Sequence, residues 1–265
     1  MRGILRDTVI ELLDRKIIWV FAVIVVLAVL ILLVTDDIGF RFGVGGSGEM
    51  DLGQLNEVLG NPILRGFDLF MAFLVFLAVV ASAGIFPGML QRGRTEFYMS
   101  KPISRASLLR RKVFAIWVVY GGLVLVSGFL VYLAAGLFHG AFDGSILVLQ
   151  LLALVSLLIW LSVSILFGVL SRSTVASLMA VLLVWVVEWV LSYREFFKSL
   201  TDSSVGNAII DTVYFIFPKP DEVSDIFLRI ASDRTVWDWQ PVWTTLAAAF
   251  VLFYLSTMII KRQDF

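Results

Sequence analysis

The sequence predicts an all-α membrane protein: six transmembrane helices, an amphipathic interfacial helix at the N-terminus, and an external helical hairpin before the last span. Three observations predict it. Of 265 residues, 60% are hydrophobic and 16% charged, with a mean hydropathy of +0.95. Soluble domains carry about 25% charged residues, so this chain has too little polar surface for water to be its solvent. The apolar residues fall into long runs of the length needed to cross about 30 Å of hydrocarbon. The segments between those runs are sorted by the sign of their charge, which the net charge of +0 conceals.

Residues 1–16 form the first element. Leu5, Val9, Leu12 and Leu13 make one stripe of a helical wheel, while Asp7, Glu11 and Asp14 lie opposite and Glu11 pairs with Arg15 at i,i+4. Such a helix lies on the cytoplasmic membrane surface; the plainer alternative is that it extends the first span into water. The runs Ile17 to Val34, Phe67 to Leu90, Val113 to Phe138, Ile146 to Leu170, Thr174 to Leu191 and Val242 to Ile260 then read as the spans. They should be helical, because backbone in contact with lipid must satisfy its own hydrogen bonds. The first run exceeds the apolar core of about 7–15 residues typical of a signal peptide and ends in Leu32-Leu33-Val34-Thr35, with no small-x-small cleavage site, so it reads as a retained anchor. Pro87 should kink the second span, and Asp68 reads as a helix-start acid. In the third, Gly121, Gly122, Ser127, Gly128, Ala134, Ala135 and Gly136 suit close helix packing.

Charge assigns the sides. Arg2, Arg6, Arg15 and Lys16 precede the first span, Arg172 lies between the fourth and fifth, and Lys261 and Arg262 close the last. Residues 91–112 carry Arg92, Arg94, Lys101, Arg105, Arg110, Arg111 and Lys112 against one acid, Glu96. Basic residues beside spans stay in the cytoplasm and are drawn to the anionic inner leaflet. Both termini and this loop are therefore expected inside. The loops at Asp36 to Glu57, at Asp143 and over 192–241 carry the acids and are expected outside.

The 192–241 insertion is too long for a turn. Its apolar stretch Ile209 to Phe217, ended by Phe217-Pro218-Lys219-Pro220, is too short to span; it either dips into the outer leaflet or packs on the helix tops. Pro220 followed by Asp221 and Glu222 reads as the first turn of a second short helix. Trp237, Trp239 and Trp243 suit the outer headgroup belt.

No catalytic constellation emerges. His139 is the sole histidine, placed by its neighbours Gly140 and Asp143 in a short external turn, and there is no cysteine to complete a metal site with it. Gly43, Gly45, Gly46 and Gly48 lack the Lys-Ser/Thr of a phosphate-binding loop and read as linker. No motif calls for a cofactor or for nucleic acid as a partner. Glu188 is the one ionisable residue clearly inside a span. An intramembrane acid is a candidate functional group, but one turn from the outer end it could also snorkel or pair with Arg194.

One stretch carries a family pattern: Gly93-Arg94-Thr95-Glu96-Phe97-Tyr98-Met99-Ser100-Lys101-Pro102-Ile103-Ser104-Arg105, then Leu108, Leu109 and Lys112. Together with the order of the elements, it resembles the exporter-type permeases of ATP-binding-cassette transporters, near the multicopper-enzyme-maturation branch. The tail Lys261 to Phe265 is similar to the family's ending. The chain departs from the pattern where Met89, Gln91 and Arg92 stand in place of acids. The resemblance implies one transmembrane permease domain over residues 1–265 in the plasma (inner) membrane. It also implies a separate P-loop ATPase subunit, a second permease copy or paralogue, and Arg94, Glu96, Lys101, Pro102, Ser104 and Arg105 as candidate ATPase-coupling residues.

The residues themselves allow such an elbow. Glu96 to Ser100 can form a short helix ended by Pro102, and Ser104 can cap a new helix that runs through Arg105, Leu108 and Leu109 into the third span. Anchoring to anionic lipid is the simpler use of the same basic cluster. Two other function classes stand beside an ATP-driven permease. An ATP-independent transporter or channel should show polar residues or broken helices at the midplane, where Ser156, Ser162 and Ser164 come nearest. An intramembrane enzyme would need paired acids, histidine or a metal site facing one cavity.

Overall fold

The computed structural model describes residue 10 and residues 17–35, 62–90, 104–139, 144–199, 204–231 and 236–262. Outside the described residues lie the amphipathic segment 1–16 except Ile10, the glycine-rich loop, and residues 91–103 with Arg94, Glu96, Lys101 and Pro102. The described elements are all helices: α1 (Ile17–Thr35), α2 (Pro62–Ala83), α3 (Ile85–Met89), α4 (Arg105–His139), α5 (Ser145–Ser171), α6 (Thr174–Ser192), α7 (Arg194–Ser199), α8 (Ser204–Ile216), α9 (Pro220–Ala231) and α10 (Gln240–Arg262). Among the described residues, five stretches are long and apolar enough to cross a membrane: Gly66–Met89, Ala106–Ala134, Ile146–Ser171, Thr174–Ser192 and Gln240–Arg262. The first predicted span is the 19-residue α1, about 28 Å long at 1.5 Å per residue.

Helix α5 is the centre of the bundle, packed against α2, α4, α6, α9 and α10, while α1 lies against α4. Burial follows helical periodicity. On α2, Phe67, Met71, Leu74, Val75, Ala78 and Val79 face inward, whereas Leu69, Phe73, Phe76 and Val80 are exposed. Exposure of large apolar side chains along every span is what a lipid solvent requires.

The helix ends fix two poles. At one, Pro87, Gly168 and Ser177 meet: a Cβ on Gly168 would lie 3.4 Å from both Pro87 Cδ and Ser177 Oγ. This pole carries the start of α4 with Arg110 and Arg111, Arg172 in the α5–α6 turn, and Lys261 and Arg262 in the last turn of α10. The other pole carries α7, α8 and α9 and the acids Asp68, Glu188, Asp211, Asp221, Glu222 and Asp225.

Several local expectations are refined. The second span is interrupted where Pro87 was expected to kink it: Gly84, still in a right-handed helical conformation, separates α2 from α3, because Pro87 has no N–H to give the Ala83 carbonyl and its ring crowds that turn. Asp68 is not a helix-start acid, since α2 begins five residues earlier than the predicted span and Asp68 lies two turns in. His139 ends α4 instead of sitting in a turn. Within the basic segment 91–112, residues from Arg105 onward belong to α4, as the cap at Ser104 predicts. The insertion holds three helices, α7 to α9, where two were predicted. Its last helix does not merely rest on the bundle: Val223 and Ile226 of α9 are buried, and α9 packs on α5, α10 and α2.

Candidate functional site

At the basic pole the chain turns into the membrane through α4. The Ser104 carbonyl accepts from the Leu108 N–H at 3.0 Å, and its hydroxyl accepts from the Ser107 N–H at 3.4 Å. Ser104 is thus the N-cap the sequence suggested. From there α4 continues for 35 residues without a break, about 52 Å and longer than the hydrocarbon is thick. Ala106, Leu109 and Lys112 are buried against the bundle while Arg110 is exposed, so its first turns are both anchored and presented. The α5–α6 turn beside it is tight: Arg172 takes a left-handed conformation (φ 54°) and donates to the Gly168 carbonyl at 3.1 Å, and Ser173 caps α6 through the Ala176 N–H at 3.4 Å. Within the bundle, the Ser177 hydroxyl donates to the Ser164 carbonyl at 2.6 Å and the two hydroxyls lie 2.8 Å apart. Ser162 returns its proton to the Leu158 carbonyl at 2.8 Å. Ser164 and Ser177 thus join α5 to α6, while Ser162 is satisfied within α5.

At the acidic pole Glu188 is buried, 4% exposed. It neither snorkels nor pairs with Arg194. Its Oε1 accepts from the Asp221 N–H at 2.7 Å, one of the unpaired donors that every helix leaves in its first turn. The reason is local: the N-cap of α9 is Lys219, whose carbonyl accepts from the Val223 N–H at 3.1 Å but whose side chain has no acceptor to offer. The side-chain oxygen of Glu188, on α6, takes that role. Glu188 Oε2 and Lys219 Nζ are buried without a hydrogen-bond partner.

The aromatic ring of Tyr214 holds Arg194, the cation the sequence offered to Glu188, together with Lys219. Arg194 Cζ lies 3.4 Å from the ring centroid and Lys219 Nζ 3.8 Å from it. The Tyr214 hydroxyl donates to Glu222, with Oε1 and Oε2 at 2.6 and 2.7 Å. Burial, with that hydrogen bond second, holds the Tyr214 phenol well above its ordinary value. Burial pushes the Lys219 ammonium the other way, downward, with Glu222 opposing. Lys198 forms an ion pair with Asp211. The Lys219 N–H donates to Thr245 Oγ1 of α10 at 2.9 Å, and Ser224 donates to Asp68 Oδ1 of α2 at 2.8 Å. The insertion is therefore bonded to three spans, α2, α6 and α10. Pro218 and Pro220 bracketing Lys219 were the signal of a fixed joint; the role of Tyr214 had none.

Beneath α9 a groove of about 540 Å³ runs between α2, α5 and α6. Asp68, Asp221 and Ser224 stand at its mouth, and its walls are apolar save Ser156. Among the described residues no three His, Cys, Asp or Glu are grouped so as to hold a metal ion.

The sequence model of the ABC-2 family transporter proteins matches residues 4–265. The chain belongs to the ABC-2 transporter family. No curated protein and no solved structure matches it significantly. As an ABC-2 protein it is a multi-pass membrane component of an ABC transporter, a kind of subunit that works with an ABC ATPase. Of the elbow residues to which an ATPase-coupling role was assigned, Ser104 and Arg105 lie at the start of α4, and Arg94, Glu96, Lys101 and Pro102 outside the described residues. Glu188 lies toward the opposite pole, fourteen residues along α6 from Thr174, about 21 Å of helix.

Proposed function

We propose that this chain is the permease half-pathway through which a separate P-loop ATPase drives export or extraction of a substrate, in a complex with a second permease copy or paralogue. The ATPase docks on residues 91–112, where Arg94, Glu96, Lys101, Pro102, Ser104 and Arg105 make the elbow. The observation that carries this reading is the continuity of α4 from its cap at Ser104 to His139. A push on the elbow moves a rigid rod that crosses the whole membrane, and the anchored first turns pass it to α5. The segregation of Arg110, Arg111, Arg172, Lys261 and Arg262 to one pole supports an orientation with that pole, both termini and the interfacial helix 1–16 in the cytoplasm, and the 192–241 insertion outside. The location that fits is the plasma (inner) membrane, with anionic lipid against the basic pole. The chain neither binds nor hydrolyses ATP by itself, since it has no glycine-rich loop joined to Lys-Ser/Thr.

Native mass spectrometry of the chain with and without its ATPase tests this. Two permease subunits with bound ATPase are expected, and no ATP turnover by the permease alone. A working complex with one permease copy and no paralogue would overturn the subunit claim. Turnover by the isolated chain would overturn the reading as a whole.

A further inference from the structure

The joint between α8 and α9, Phe217 to Lys219, is sunk below the ends of the helices that hold it. Glu188, whose Oε1 meets the first turn of α9, lies one turn before the end of α6, and Thr245, which accepts from the Lys219 N–H, lies five residues into α10. Water has little access there: Glu188 is 4% exposed, Lys219 3%, and Pro218 is buried.

Two polar atoms end in this joint without a hydrogen bond. Glu188 commits Oε1 to the Asp221 N–H, but its Oε2 and Lys219 Nζ have no partner. The face of the Tyr214 ring, its centroid 3.8 Å from Nζ, attracts a cation yet supplies no lone pair. Burial strips both atoms of hydration, which only a hydrogen bond replaces. Both residues line one pocket of about 20 Å³, with Leu191, Tyr214, Pro218 and Glu222. One water needs about 10–15 Å³ on the same measure and two to four polar partners, so the pocket is sized for one.

The partners select the occupant as well. Lys219 Nζ brings N–H donors and Glu188 Oε2 brings a lone pair, so whatever lies between them must accept from one and donate to the other. A metal cation accepts no hydrogen bond and a halide donates none. Water does both.

We infer that this pocket is the site of one buried water, which accepts from Lys219 Nζ and donates to Glu188 Oε2. Helix α6 then holds the insertion by two links side by side, one direct to the Asp221 N–H and one through the water to Lys219, so the start of α9 and the joint behind it are tied to α6 together. The inference goes beyond the permease reading and does not depend on which pole faces outward.

A crystal structure of the full chain grown from a lipidic mesophase, at a resolution that shows ordered water, is the test. One peak should lie within about 3 Å of both Oε2 and Nζ. After a soak in rubidium bromide it should carry the anomalous signal of neither ion, which identifies it as water. Lys219→Leu removes one partner while leaving the backbone bonds of that residue to Thr245 and Val223 in place; its map should show the same joint without the peak. Glu188→Gln keeps a polar atom at each partner position and should retain the peak. A direct contact between Oε2 and Nζ in the parent, no peak between them, an ion in its place, or a peak that survives Lys219→Leu would each overturn the inference.

Discussion

Replacing Glu188 tests whether α6 caps α9. The side chain is 4% exposed and its Oε1 lies 2.7 Å from the Asp221 N–H, and the N-cap residue Lys219 supplies no acceptor of its own. Glu188→Leu removes the acceptor, whereas Glu188→Gln keeps an oxygen for the N–H. Loss of a cap costs about 1 kcal/mol. The leucine variant should therefore be about 1 kcal/mol less stable than the parent, and the glutamine variant close to the parent. Unfolding in mixed maltoside and dodecyl sulfate micelles, followed by tryptophan fluorescence, measures the difference. Hydrogen exchange in the first turn of α9 locates it. A leucine variant as stable as the glutamine variant, with exchange of the Asp221 amide unchanged, would refute the capping argument.

Other outcomes follow from the same contacts. A Cβ on Gly128 would lie 2.5 Å from Gln150 Nε2 and 2.6 Å from Met71 Cε, whereas one on Gly122 would meet nothing within 4 Å. Gly128→Ile should cost about 1–3 kcal/mol and Gly122→Ala should be neutral or stabilising by up to about 1 kcal/mol, measured by the same unfolding assay. Because the folded protein holds the Tyr214 proton more tightly than the unfolded chain does, that contribution is complete below about pH 10 and fades as pH rises beyond it. Tyr214→Phe should flatten the alkaline limb of the stability curve; an unchanged limb would count against the burial of this phenol. With neither native cysteine nor disulfide to interfere, Ser107→Cys should resist an impermeant thiol reagent in intact cells and react after permeabilisation; labelling of intact cells would refute the orientation.

The spans were legible because a lipid solvent imposes length and composition directly, and periodic burial on α2 follows from the same constraint. Ser104 and Pro220 were legible because a helix start has local chemistry: a hydroxyl acceptor in one case, a missing N–H in the other. Pro87 was legible as a defect because it withholds an N–H from the Ala83 carbonyl. What lay beyond the sequence was pairing at a distance. Glu188 finds its partner 33 residues away and Asp68 finds Ser224 at a separation of 156, and neither spacing has a periodicity to betray it. Arg194, close to Glu188 in sequence, was the obvious counter-ion, but the face of Tyr214 takes it instead. The groove is likewise a product of three helices and the lid that α9 makes over them, so no one stretch of sequence records it.

The most direct test of the central claim, that an ATPase drives this bundle through the elbow before α4, is ATP hydrolysis by the reconstituted complex carrying E96R and R105E together. Charge reversal across a docking surface typically costs several kcal/mol of complementarity. The double variant should insert normally yet lose the ATPase from the complex and lose the stimulation of hydrolysis by substrate. Full recovery of the complex with undiminished, substrate-stimulated hydrolysis would contradict the account.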